Sequence, residues 1–214
     1  MHTPKKFAQT DTKQLRALIT QYPFGTLMTH SDAGLEASHI PFVLAQSQGK
    51  DYLHGHIARA NPLWKTLPDS CDVLVVFHGP HHYISPNYYP TKHDTGKGVP
   101  TWNYVVAHVK GTMSFIHDPQ WNLTMLDRLT QHNEASQPNP WTLSDSPDGY
   151  IQKMLPAIVG LNINITSITG QWKLSQNQPE HNRQGVIAGL SDLDTCEANT
   201  MAEWVKNAGI ISDV

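Results

Sequence analysis

Cysteine is almost missing from this chain. Cys71 and Cys196 are the only two in 214 residues, and no CxxC pair occurs, so neither a disulfide framework nor a thiolate zinc site is indicated. A reducing, cytoplasmic home is expected. Charge is scarce too, at 15% of residues against roughly 25% in an average soluble protein. Lys+Arg 15 against Asp+Glu 18 leaves a net charge of -3, which gives little counterion-release drive for nucleic acid. No helix-turn-helix, zinc finger or basic region is present. DNA therefore remains a partner that neither charge nor motif supports. No apolar run approaches 18 residues, and MHTPKKFAQT has no apolar stretch after its lysines, so no membrane association is expected. GxxxxGK[ST], GxGxxG and GxSxG are all absent, which disfavours nucleotide hydrolysis, a dinucleotide fold and a serine hydrolase. With Gly 14, Pro 15 and 39% apolar residues, the chain is neither low-complexity nor disordered, and its length fits one domain over residues 1–214.

Histidine is what it has in abundance, 13 copies, nearly as many as all Lys and Arg together. Because the imidazole titrates near pH 6.5, the sign of the net charge depends on pH.

Periodicity predicts a mainly β chain with peripheral helices. Asp11 caps a first helix carrying Leu15, Leu18, Ile19 and Tyr22, which Pro23 stops. Strands follow in FGTLMTH, LEASHIPFVLA, YLHGHIA, DVLVVFH and WNYVVAHVKGTMSFI, separated by Ser31–Gly34 and Gln48–Asp51 turns. A meander closing on itself as a barrel or sandwich is expected. Asp118-Pro119 and Ser146-Pro147 open further helices. Leu161, Ile163 and Ile165 mark a late half-buried strand, and ANTMAEWVKNAG a last helix stopped by Gly209. The polar stretch Ser175 to Arg183 is the one candidate linker.

The segment His56 to Lys65 carries the most chemistry. A strand runs into Asn61, a favoured N-cap, with Pro62 expected at the first helical position, so a short helix begins just after an arginine. Free N–H groups at the helix start could hold a phosphate, Arg59 could clamp it, and His56 or Lys65 could add a donor. A strand-to-helix turn whose arginine merely meets a carboxylate is the equally ordinary alternative. His54 and His56 share one strand face, and with His39, His78, His81 and His82 nearby a metal site is conceivable, although no compact ligand signature supports it. Phe77 to Tyr104 reads as an irregular aromatic loop touching a ligand or a second subunit. Tyr83, Tyr88, Tyr89 and Trp102 offer flat faces there, and Thr101 and Asn103 offer hydrogen bonds. No residue stands out as general acid, base or nucleophile, so no catalytic residue is assigned.

The blocks SHIPFVL, HGHIARANPLWKTL, VFHGPHHYISPNYYPTK, VPTWNYVVAHVKG, IVGLNINI and KLSQNQPEHNRQGVIAGL together resemble the PaiB family, described as FMN-binding negative transcriptional regulators. The resemblance runs over nearly the whole chain. It implies a split β-barrel of the pyridoxamine-phosphate-oxidase-like kind, working as a homodimer with FMN near the subunit interface. It places His56, Arg59 and Asn61 near the phosphate, Ser38 and His39 beside the isoalloxazine or ribityl chain, and Thr101, Trp102 and Asn103 across the interface. Where the oxidases carry arginine early in the second strand, this chain has Ser38-His39. The residues by themselves fit any phosphate-bearing ring, FMN or pyridoxal phosphate alike. A regulator binding FMN is the function the resemblance implies. A flavin-dependent oxidoreductase or other small-molecule-handling enzyme is the alternative, and a histidine metal or haem site the third reading.

Overall fold

Local rules build the elements seen in the computed structural model, which describes residues 1–207. The Asp11 carboxylate accepts the Lys13 N–H at 2.8 Å and starts helix α1 (Thr12–Gln21), which buries Leu15, Leu18 and Ile19. A two-residue strand β1 (Ala8–Gln9) precedes it. The first hairpin joins β2 (Phe24–Ser31) to β3 (Gly34–Pro41). The second joins β4 (Val43–Ser47) to β5 (Lys50–Ala58). Its tip holds Gln48 at φ 50° and Gly49 at φ 75°, the left-handed pair that matches the twist of a two-residue hairpin turn.

Helix α2 (Leu63–Thr66) is only one turn long. It leads into the long strand β6 (Ser70–Ile84), helix α3 (Pro90–Thr95), β7 (Thr101–Ile116), α4 (Pro119–Glu134), α5 (Tyr150–Met154), β8 (Ile158–Lys173), α6 (Glu180–Ser191) and α7 (Cys196–Lys206). The strands form one eight-stranded antiparallel sheet in the order β3-β2-β6-β7-β8-β5-β4, with β1 paired to β8. No helix among the described residues is long and apolar enough to cross a membrane.

Contacts group the chain into two compact units. The first comprises Met1–Leu18, His78–His108 and the chain from Thr169, and the second Ile19–Phe77 and Val109–Ile168. In the second, Phe42 interrupts the strand expected to run unbroken through LEASHIPFVLA. Its N–H bonds to the Pro23 carbonyl at 2.9 Å, and its buried ring meets Phe77 edge-on at 6.0 Å. In the first, Trp172 lies 6.4 Å from Trp204, and Val186, Leu190, Met201 and Val205 are fully buried.

Three expectations need correction. The loop expected from Phe77 to Tyr104 begins as strand, since β6 continues to Ile84, and its last residues belong to β7. Gly79 permits this: a Cβ there would sit 3.0 Å from Leu18 and 3.1 Å from Val105, so small size, not a turn, is what the glycine supplies. Ser175 to Arg183 is no linker, because Ser175 and Asn182 are buried and α6 starts within the stretch. Helix α2 begins one residue later than expected, although Asn61 still caps it, its Oδ1 accepting the Leu63 N–H at 2.9 Å. Gly209 lies outside the described residues.

Candidate functional site

In the second unit, strand β5 sorts its side chains by the two-residue period. Leu53, Gly55 and Ile57 are buried, while Tyr52, His54 and His56 occupy the other, half-buried face. Burial depresses the His56 pKa, and its Nδ1 is buried without a hydrogen-bond partner. Desolvation, reinforced by the nearby Arg128 guanidinium, lowers His54 to about 4, with the adjacent Asn162 side chain acting in the opposite sense. Both rings are therefore neutral at neutral pH. Among the described residues no cluster of three or more metal-ligating side chains joins them.

At the end of β5 the Arg59 guanidinium is held by main-chain oxygens. Nε donates to the Pro156 carbonyl at 2.5 Å and Nη2 to the Ile158 carbonyl at 2.9 Å, while Nη1 faces His117 Nδ1 at 3.4 Å. The arginine expected from the sequence to clamp a phosphate is thus engaged within the chain, and what Arg59 offers a ligand is a fixed charge with its remaining N–H groups. Trp64 completes the corner, its Nε1 donating to the Arg59 carbonyl at 2.9 Å. The Arg59 guanidinium and the Lys65 ammonium lie 5.6 and 5.0 Å from the Trp64 ring centre. Lys65 is exposed and meets no carboxylate among the described residues. Arg59, Asn61 and Lys65 are thus gathered around Trp64 at one strand-to-helix corner, and His56 precedes them on β5, on the face it shares with His54. Ser38 and His39, adjacent on β3, must point to opposite faces. His39 Nδ1 lies 3.2 Å from Thr26 Oγ1.

In the first unit the same alternation divides Thr101, Trp102 and Asn103. Asn103 is 1% exposed and bonded to Ser175 Oγ at 3.0 Å, whereas Trp102 is 52% exposed, with His81 and Tyr83 at 5.9 and 6.1 Å. Thr101 Oγ1 accepts from the Lys173 ammonium. A cavity of about 280 Å³ there is lined by Thr101, Asn103, Lys6 and Lys173. Burial, then repulsion from Lys6, lowers the Lys173 pKa. Two ammonium groups that repel each other beside hydroxyl and amide donors have the chemistry of an anion site. Sequence reading missed both lysines, although Lys173 opens the KLSQNQPE block and was visible as part of it.

The donor sets of both units suit a phosphate-bearing ring: neutral imidazole, hydroxyls, ammonium groups and flat aromatic faces. Among the described residues, Lys6, Lys65 and Lys173 meet no carboxylate that would have to be displaced. The comparisons with known proteins agree with this chemistry. A family model described as a putative FMN-binding domain matches residues 1–167. An uncharacterized protein of Emericella nidulans is 34% identical over 96% of both chains. The Bacillus subtilis protein named protease synthase and sporulation protein PAI 2 is 32% identical over 97% of both. Among solved structures, the FAD and heme binding protein from Mycobacterium smegmatis superposes with a TM-score of 0.58 at 17% identity, covering 78% of this chain and 73% of that one. That likeness is one of fold, the flavin-binding split barrel.

Proposed function

This chain belongs to the FMN-binding domain family, and we propose that it holds FMN as a cytoplasmic homodimer whose flavin state governs a transcriptional output, directly or through a partner. The observation that carries the binding reading is the orphaned His56 Nδ1, a buried nitrogen without a partner among the described residues, on the strand that runs into the corner where Arg59 and Lys65 bring positive charge. A buried polar atom left unpaired costs about 1–3 kcal/mol, which a ribityl hydroxyl or phosphate oxygen at that corner would recover. Lys65, which meets no carboxylate among the described residues, supplies the mobile cation for the phosphate, Arg59 a fixed one, and Asn61 keeps the turn that presents them. Ser38 or His39, and Trp102 with Thr101 and Asn103 from the second subunit, would border the ring. FMN when bound supplies one- and two-electron redox chemistry. The protein's own residues orient it and exclude water. The regulatory part of the reading rests on the relative named for protease synthase and sporulation.

The binding test is a titration of the purified chain with FMN and with riboflavin, which lacks the phosphate, read by flavin fluorescence. FMN should bind at least tenfold more tightly than riboflavin, and Lys65→Met should narrow that gap. Equal affinities would remove the phosphate anchor from this corner. Retardation of promoter fragments by flavin-loaded and flavin-free protein tests direct regulation, and its absence in both states would confine any regulatory role to a partner protein.

A further inference from the structure

A second cavity, of about 390 Å³, opens in the second unit beside β4, β5, β8 and α4. None of the nine residues expected around the flavin lines it. Its volume is within the range of small-molecule sites, roughly 300–1,000 Å³. One wall is aromatic: Trp121 lies 4.9 Å from the His54 ring, and His54 6.1 Å from Tyr52. Helix α4 carries Trp121, Met125 and Arg128 at spacings of four and three, which places them along one helix face. All three line the cavity.

Two polar groups there are unmatched. Arg128 is exposed, and its guanidinium makes no hydrogen bond or ion pair among the described residues. Among the described residues, Asn162 Oδ1 is buried beside the His54 ring without reaching good hydrogen-bond geometry to it or to any other donor. A guanidinium calls for a carboxylate, preferably in a planar two-point contact. A buried amide oxygen calls for a donor. An indole face favours a flat ring. His54, neutral at neutral pH, adds one donor and one acceptor without adding charge.

We propose that this cavity is a binding site for a small planar carboxylic acid, its ring against Trp121, its carboxylate on Arg128 and a hydroxyl or amino donor directed at Asn162 Oδ1. It gives the protein a ligand site separate from the flavin, through which an aromatic acid acts on the face of β5 opposite its core side chains.

4-Hydroxybenzoate is the probe, with 4-hydroxybenzamide as its neutral isostere and benzoate as the analogue lacking the donor. Titrations followed by NMR should give saturable shifts of the Trp121 indole N–H and the His54 ring. The amide should bind at least tenfold more weakly, and benzoate more weakly than the hydroxy acid. Arg128→Met should reduce affinity at least tenfold and Arg128→Lys by less, with melting temperatures unchanged because Arg128 is exposed. FMN affinity should be unaffected by Arg128→Met, so failure of this site and failure of flavin binding are separable. Equal binding of acid and amide, shifts that do not saturate, or displacement of the probe by FMN would each overturn the proposal.

Discussion

At the scale of single residues, burial decides what each polar group can do. His54 has its pKa pulled from 6.5 to about 4 by desolvation and by Arg128. Between those two values the unfolded chain takes up a proton that the folded chain refuses, so stability falls as pH drops through that window. Thermal melts from pH 7 to 4.5 should show a declining midpoint, and His54→Gln should flatten the decline relative to the native chain. An identical slope in the variant would mean that His54 is not the titrating group. Arg59 is a second case. Its removal loses the hydrogen bonds to the Pro156 and Ile158 carbonyls, and Arg59→Ala should cost about 1–3 kcal/mol in a urea unfolding experiment, whether or not flavin is present. The capping role of Asn61 was readable in advance because a cap is a contact between near neighbours. The engagement of Arg59 was not, because its acceptors lie almost a hundred positions further along.

Among elements, close approach sets the tightest constraints. A Cβ on Gly185 of α6 would lie 2.0 Å from the Tyr88 carbonyl oxygen, and main chain cannot yield as a side-chain tip can. The same helix is fastened to α3 by Asn182, whose amide donates to Thr91 Oγ1 at 2.9 Å, and to α7 by Arg183 on the Val205 carbonyl at 3.1 Å. Gly185→Ala should therefore lower stability by about 1–3 kcal/mol, as overpacking does, while exposed Ser191→Ala on the same helix leaves the melting temperature nearly unchanged. Equal midpoints for the two variants would show that α6 is not seated on Tyr88. The polar composition of Ser175 to Arg183 suggested a linker, since composition cannot report that Asn182 and Ser175 face buried partners. The alternation in YLHGHIA, by contrast, was readable and correctly gave the face shared by His54 and His56.

For the whole molecule, ligand binding and folding are linked. FMN at about a hundred times its Kd should add about 2.7 kcal/mol to the stability of the folded state. In a chain of this length that corresponds to a rise in melting temperature of roughly 5–10 °C. Riboflavin at the same concentration should give a smaller rise if the phosphate is the anchor. No rise with either flavin would contradict the cofactor reading at the level of the entire chain. The net charge of -3 with 13 histidines also makes this measurement pH-dependent, so it belongs at fixed pH.

The first helix, the two hairpin turns, the Asp11 and Asn61 caps and the family membership were present in the one-dimensional text, whereas α3, α6 and the continuation of β6 to Ile84 were not. Each of the former depends on the period of apolar residues, on turn chemistry between near neighbours, or on ordered sequence blocks. The tertiary structure alone decided which donors are engaged and which stand free. It brought Lys6 to Lys173, gave Arg59 its carbonyl partners, left His56 Nδ1 and Asn162 Oδ1 unpaired, and set Arg128 beside Trp121 and His54 around a cavity. Hydrogen bonding, desolvation and the field of a neighbouring charge are fixed by distance in space, and residues remote in sequence acquire that distance only when the sheet closes.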